Sequence, residues 1–383
     1  MPREREPFTE GYGKMKLKAV SGIMLTLLFV SMLTMAFNIQ PVKASGPIYI
    51  RADGSVEGTT DISSADNVTY TFTDNIFNQS IFVEKDNIVV DGAGYTLQGT
   101  GNYTGISLVD RSNVTIKNAK ITSFWHGIML NMSSSNTIYG NTVAANNWHG
   151  IWIHESSNNT ISGNNITRND AYGILLAFSS NNIISGNVLK NNGVTGITGI
   201  RIDNYSNNNS IYSNIVTAQE YWGIELSYSS NNRISENNIT NNERGVVIWF
   251  FSINNTIDRN NIANNDYGIY CDDSSGNHVY HNNFMDNIQQ VFDPYAPYEV
   301  NNWDDGYPSG GNYWDDYVDV DQYGGPYQNE TGSDGIWDHP YVLDENNQDN
   351  YPLVPEFPSL IILPLFMMVT LLAAMVYKRK HSM

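Results

Sequence analysis

Three aliphatic columns run in phase through the middle of the chain, repeating about every 23 residues. The first follows a glycine: Gly127-Ile128, Gly150-Ile151, Gly173-Ile174, Gly199-Ile200, Gly223-Ile224, Gly245-Val246 and Gly268-Ile269. The second is Ile138, Ile161, Ile184, Ile211, Ile234, Ile257 and Val279; the third is Val143, Ile166, Leu189, Val216, Ile239, Ile262 and Phe284. Around each aliphatic position apolar and polar residues alternate, as in Gly-Ile-Trp-Ile, which is the period of a half-buried strand. Three short strands per repeat predict an all-β, single-stranded right-handed parallel β-helix. One coil alone buries too few side chains to offset the entropy of ordering its backbone, so coils must stack and share one core.

A fourth column is polar: Asn141, Asn164, Asn187, Asn214, Asn237, Asn260 and Asn282. An amide both donates and accepts, so identical amides one coil apart are expected to form a hydrogen-bonded ladder. Less regular coils precede this array, in Val83–Gly92 and Asn113–Asn118, and the columns stop near Phe284. The organisation read from the sequence is a signal peptide or signal anchor at 1–44, an N-terminal cap at 45–80 and β-helix repeats at 81–288. An Asp/Tyr/Gly-rich C-terminal cap module at 289–354 and a linker, membrane helix and basic tail at 355–383 complete it.

The flanks set the expected location. Ala19 to Phe37 is apolar, follows Lys14, Lys16 and Lys18, and precedes a Val-Lys-Ala site, which reads as a cleaved secretory signal or an uncleaved anchor. Leu360 to Tyr377 is long enough to span a bilayer and is followed by Lys378-Arg379-Lys380. That charge bias predicts a cytoplasmic C-terminus and a body displayed on the outer surface. A net charge of −19 disfavours nucleic acid as a partner. The single cysteine, Cys271, allows no intrachain disulfide and reads as a small core residue. Twelve N-x-S/T sequons, from Asn67 to Asn329, make glycosylation an expectation for an exported chain.

The run NIVVDGAGYTLQG, then NVTIKN, then serial GI-x-L…NNTI-x-GN units resembles the NosD-like β-helix family, within the pectin-lyase-like superfamily of carbohydrate-binding proteins and sugar hydrolases. The likeness covers roughly residues 46 to 353. Pro355-Glu356-Phe357-Pro358 resembles the PEF-type C-terminal sorting signals of archaeal surface proteins. The NosD resemblance implies copper delivery to a metalloenzyme as one role. Soft Cys/Met clusters are absent from the body, so such copper would rest on His126, His149 and His154.

Candidate chemistry gathers on the outward positions of the strand after each glycine. One column there reads Met129, Trp152, Leu175, Arg201, Glu225, Val247, Tyr270; the next reads Asn131, His154, Ala177, Asp203, Ser227, Trp249, Asp272. Aromatic faces suit sugar rings, and carboxylates with Arg suit their hydroxyls. The expected ligand-binding set is therefore Trp152, His154, Arg201, Asp203, Glu225, Trp249, Tyr270 and Asp272, with a polysaccharide or envelope glycan as partner. The alternative is an aromatic ladder that serves the fold alone. Asp203 and Glu225, on adjacent coils with Arg201 between them, are candidates for a hydrolase, lyase or epimerase, or else Arg201 simply forms a cross-coil ion pair with Glu225. The paired-Asp, Gly-His-Gly and Arg-x-Lys patterns of polygalacturonase-like sites are missing. Asp319, Asp321, Asp334 and Asp338 sit among Gly and Asn and are candidate calcium ligands, or turn residues needing no ion. His126 and His149 share a phase and are candidate copper ligands. Oligomeric state is left open by every column.

Overall fold

A computed structural model describes residues 46–193, 198–295 and 297–355. The signal or anchor segment and the C-terminal hydrophobic segment lie outside these residues. The described chain is an all-β parallel solenoid with three long sheets of 12, 11 and 11 strands, and it contains no helix. The first sheet stacks Ile48–Ile50, Ile81–Val83, Thr104–Val109, His126–Asn131, Ile151–His154, Ile174–Ala177, Ile200–Asp203, Trp222–Ser227, Arg244–Trp249, Tyr267–Asp272 and Gln289–Phe292 in parallel. The second sheet carries the Ile138 column and the third the Val143 column, each in register from coil to coil. The coils begin at Ile48, before the regular repeat is legible, and the third sheet ends on Tyr313–Trp314. Val56–Glu57 folds back antiparallel on the first strand and closes that edge, which limits edge-to-edge pairing with another chain.

The three aliphatic columns form one continuous core, all at or near zero exposure, and Cys271 lies inside it. The glycine before each first-sheet strand is fixed by close approach rather than by backbone conformation. A Cβ on Gly150 would stand 2.6 Å from the carbonyl oxygen of Gly173 and 2.8 Å from Asn169 Nδ2. Stacking at the strand spacing leaves no room there for a side chain.

The expected asparagine ladder is present. The backbone N–H and Nδ2 of Asn141 both donate to Asn164 Oδ1, at 3.0 and 3.1 Å, and the pattern passes through Asn187, Asn214, Asn237, Asn260 and Asn282 to Asn312. Two further ladders occupy the other corners. One runs from Asn136 to Asn301, and the other runs from Asn146 through Asn169, Asn192, Gln219, Asn242 and Asn265 to Asn287. A buried serine column accompanies them: the N–H of Ser133, Ser156, Ser179, Ser206, Ser229 and Ser252 each donates to the hydroxyl of the next serine. These bonds satisfy corner backbone groups that no sheet reaches.

Carboxylates of the C-terminal segment receive the last donors. Ser274 N–H donates to Glu299 at 2.9 Å, Asn312 N–H to Asp349 at 2.7 Å, and Gln290 Nε2 to Asp315 at 2.6 Å. Asp349 also accepts from the buried Trp314 indole at 2.9 Å. Burial raises its carboxyl to about 7, against the downward pull of its hydrogen bonds.

Candidate functional site

The outer face of the first sheet carries the chemistry, because its strands place the residues after each glycine alternately into the core and outward. Register puts Trp152, Leu175, Arg201, Glu225, Val247 and Tyr270 on one line, and His154, Ala177 and Asp203 on the next. Trp249 and Asp272 are direct partners further along that second line.

Three clusters result. The first is aromatic. Trp125 and Trp148 stack at 5.4 Å with 7° between planes, and His126 and His149 stack at 5.1 Å. Trp152 lies 4.9 Å from His126 and 5.5 Å from His154. His149 then stacks on Tyr172 at 5.0 Å.

Tyr172 links to the second cluster, since Arg201 Nη1 donates to its hydroxyl at 2.9 Å. The same guanidinium holds Asp203 at 2.8 Å and Glu225 at 3.1 Å. Thr198 donates to the other Glu225 oxygen at 2.9 Å. The Glu225 side chain is 0% exposed, whereas Arg201 and Asp203 keep 23% and 15%. Burial raises the Glu225 carboxyl to about 7, although Arg201 and Thr198 pull it down. For Arg201 burial works downward, yet Glu225 and Asp203 carry the guanidinium above its ordinary value.

The third cluster surrounds Arg244, whose guanidinium carbon lies 3.8 Å from the Tyr270 ring centroid and 5.2 Å from that of Trp222. Such placements are favourable cation–π contacts. Trp222 meets Trp249 edge-on at 5.2 Å. Thr198 and Arg244 are not legible from sequence as candidates, and Tyr172 and Trp222 are legible only as members of an aromatic set just before each glycine. Their one signal is the shared phase immediately before each glycine.

Among the described residues, ten buried side-chain nitrogen or oxygen atoms lack a hydrogen-bond partner within the protein. Seven belong to strands of the first sheet, namely Ser107 Oγ, His126 Nδ1, Trp222 Nε1, Glu225 Oε1, Ser227 Oγ, Arg244 Nε and Trp249 Nε1, and an eighth, His149 Nδ1, lies just before the strand Ile151–His154. Glu225 Oε1 has Arg201 at ion-pair distance without hydrogen-bond alignment. Native proteins satisfy nearly all buried polar atoms, so these atoms, shielded by the rings around them, are unmet bonds beneath the aromatic face.

The remaining candidates are held differently. Burial lowers His126 to about 4, and burial with the neighbouring His126 lowers His149 to about 2, so both rings are neutral. Asp319 accepts from the His339 N–H at 3.0 Å and the His339 ring at 2.8 Å. Asp321 accepts from Ser333, Asp334 N–H and Gly335 N–H, Asp338 from Gln322 and Tyr323 N–H, and Asp334 from Ile336 N–H. Only the Asp334–Ile336 bond is a local turn cap; the others tie segments of the tail that lie far apart in sequence. Among the described residues no group of three or more His, Cys, Asp or Glu is placed to hold a metal ion.

Comparison with known proteins agrees with the architecture. Residues 42–196 and 169–318 match the family described as periplasmic copper-binding protein (NosD). The chain matches no curated protein sequence. Among solved structures, a tailspike protein double mutant of E. coli bacteriophage HK620, in complex with pentasaccharide, superposes with a TM-score of 0.53 at 12% identity, over 71% of this chain and 55% of that one. The A-module of an Azotobacter vinelandii mannuronan C-5 epimerase superposes with a TM-score of 0.48 at 14% identity, over 61% of this chain and 78% of that one. At these identities the likeness is one of fold.

Proposed function

The chain belongs to the NosD family of β-helix proteins, and from that premise we propose that it binds a neutral polysaccharide on the outer face of its first sheet. The observation that carries this reading is the run of partly exposed rings along that face, Trp125, Trp148, Trp152, Trp222, Trp249 and Tyr270, with the partly exposed Arg201 and Asp203 beside them. Rings offer faces to the C–H surfaces of sugars, while the partly exposed Arg201 guanidinium and Asp203 carboxylate suit sugar hydroxyls. The charge of the ligand follows from the Arg201 cluster. Its one cation faces two carboxylates, so it has no positive charge left for a uronate, and the chain's net charge of −19 repels polyanions. A tailspike of the same fold is seen with a pentasaccharide, so a β-helix can present such a surface. In this reading the body is exported and displayed at the cell surface through its C-terminal segment.

Binding is favoured over hydrolysis by the burial of Glu225. A hydrolase needs both carboxyls to reach the glycosidic bond, and this one is sealed between Thr198 and Arg201. Copper, which the family description raises, does not fit the described residues. His126 and His149 stack face to face, so their in-plane lone pairs do not converge, and no third ligand joins them.

Isothermal titration of the full-length chain tests the proposal, with cellohexaose, mannohexaose and chitohexaose as neutral probes and hexagalacturonate as the acidic one. At least one neutral probe is expected to bind, and Trp249→Ala to weaken it about ten-fold. Preference for hexagalacturonate, or unchanged binding in both Trp152→Ala and Trp249→Ala, overturns the reading.

A further inference from the structure

Beside this face, the corner leading from the first sheet to the second carries a second feature. The residue before each ladder serine is turned outward, because the serine N–H is tied to the next coil. In successive coils that residue is Phe178, Tyr205, Tyr228 and Phe251. All four adopt left-handed backbone, with φ of 51°, 59°, 48° and 53°. Bulky side chains rarely take this conformation, and the equivalent position at other corners is commonly asparagine, as in Asn158, Asn181, Asn231 and Asn254. Phe251 is 62% exposed and Tyr205 69%, so burial does not compensate the strain. The corner imposes this backbone in other coils too, on Met132, Glu155 and Asp273, so what calls for a function is the choice there of four exposed aromatics in succession.

The row is joined to the sheet face at two points. Phe178 meets His154 edge-on at 5.8 Å, and Tyr228 stacks at 5.2 Å on Phe250, which stacks in turn on Trp249 at 4.5 Å. Beyond Phe251 it opens into a groove of about 370 Å³, lined by Phe251, Asp273, Tyr295, Tyr298 and Glu299. In the next coil the same position is Asp273, before Ser274, and one coil further Tyr298 precedes Glu299, which takes the place of the ladder serine. The charged groups of the groove are carboxylates.

We infer that this corner is an extended binding track for a linear neutral glycan lying parallel to the solenoid axis, its rings stacked on Phe178, Tyr205, Tyr228 and Phe251 and its far end in the groove. The inference rests on the glycan-binding reading of the sheet and adds length and direction to it. Coils advance by about 4.8 Å, on the order of one pyranose unit, so one ring meets one aromatic. The carboxylates of Asp273 and Glu299 accept from hydroxyls and turn away an acidic chain.

The test uses the full-length chain with the cello-, manno- and chito-oligosaccharide series from disaccharide to hexasaccharide. Affinity for one series is expected to rise through the hexasaccharide. Tyr205→Asn with Phe251→Asn is expected to lower hexasaccharide affinity about ten-fold or more while leaving the disaccharide unchanged. Its melting temperature should equal or exceed that of the wild type, since asparagine takes the left-handed conformation more readily. A lower melting temperature assigns the aromatics to the fold and overturns the track. So does a hexasaccharide bound as tightly by the variant, or no gain with length in the wild type. In those cases intact disaccharide binding keeps the sheet reading; loss of all saccharide binding removes both.

Discussion

Glu225 concentrates the physics of the site in one side chain. Its carboxyl is held at about 7 when folded against an ordinary 4.5, chiefly by burial. The folded state therefore binds the proton more tightly than the unfolded chain. The associated stability is complete below the unfolded value and is lost as pH rises through about 7. Thermal melts should show the wild type less stable at about pH 8 than at about pH 5, and Glu225→Gln should reduce that dependence, leaving the part due to Asp349, which burial also holds at about 7. Arg201→Ala removes the cation facing this carboxyl. A loss of roughly 3 kcal/mol is expected at pH 8, shrinking at pH 5 where the carboxyl is neutral, as read by denaturant titration. The Arg201–Glu225 pair was legible in the sequence because both residues hold the same phase on adjacent coils. Thr198 and Tyr172, which complete the cluster, were not. The longer coil between Gly173 and Gly199 breaks the regular spacing around Thr198, and Tyr172 shows in the sequence only as an aromatic just before a glycine.

At the scale of the element, the ladders matter as much as the strands. Asn187 accepts from both the N–H and Nδ2 of Asn164 and donates to the Ile161 carbonyl at 2.9 Å, all in the buried interior. Asn187→Ala leaves these groups unpaired, and a loss of about 3 kcal/mol is expected from equilibrium unfolding. The outward Asn231→Ala should cost about 1 kcal/mol, the strain of left-handed backbone without asparagine. The three aliphatic columns and one ladder were readable as a period. The other two ladders were obscured by asparagine doublets and near-doublets. In Asn158-Asn159 the first residue turns outward with φ of 59° while the second is buried in the ladder, and identity alone does not say which is which. The serine column and the aromatic row before it were missed for the same reason, since both sit at a corner where no strand alternation marks inside from outside.

For the whole molecule the ends decide solubility, because a stack of strands offers unpaired edges at top and bottom. Asp349 and Glu299 occupy the last donors of two corner columns, and the tail that carries them closes the final coil. Asp349→Ala should unseat this closure and let chains associate end to end, visible as growth in light scattering at concentrations where the wild type stays unassociated. Each ladder residue receives donors from the coil before it and passes the same pattern to the coil after it. Any coil thus presents the same mating surfaces as its neighbours, and the ends cannot sense how many lie between them. Gain or loss of one repeat by duplication or deletion leaves every junction matched, including the closures. The number of coils, and with it the reach of the exposed face, is a quantity this lineage can change without redesigning the fold.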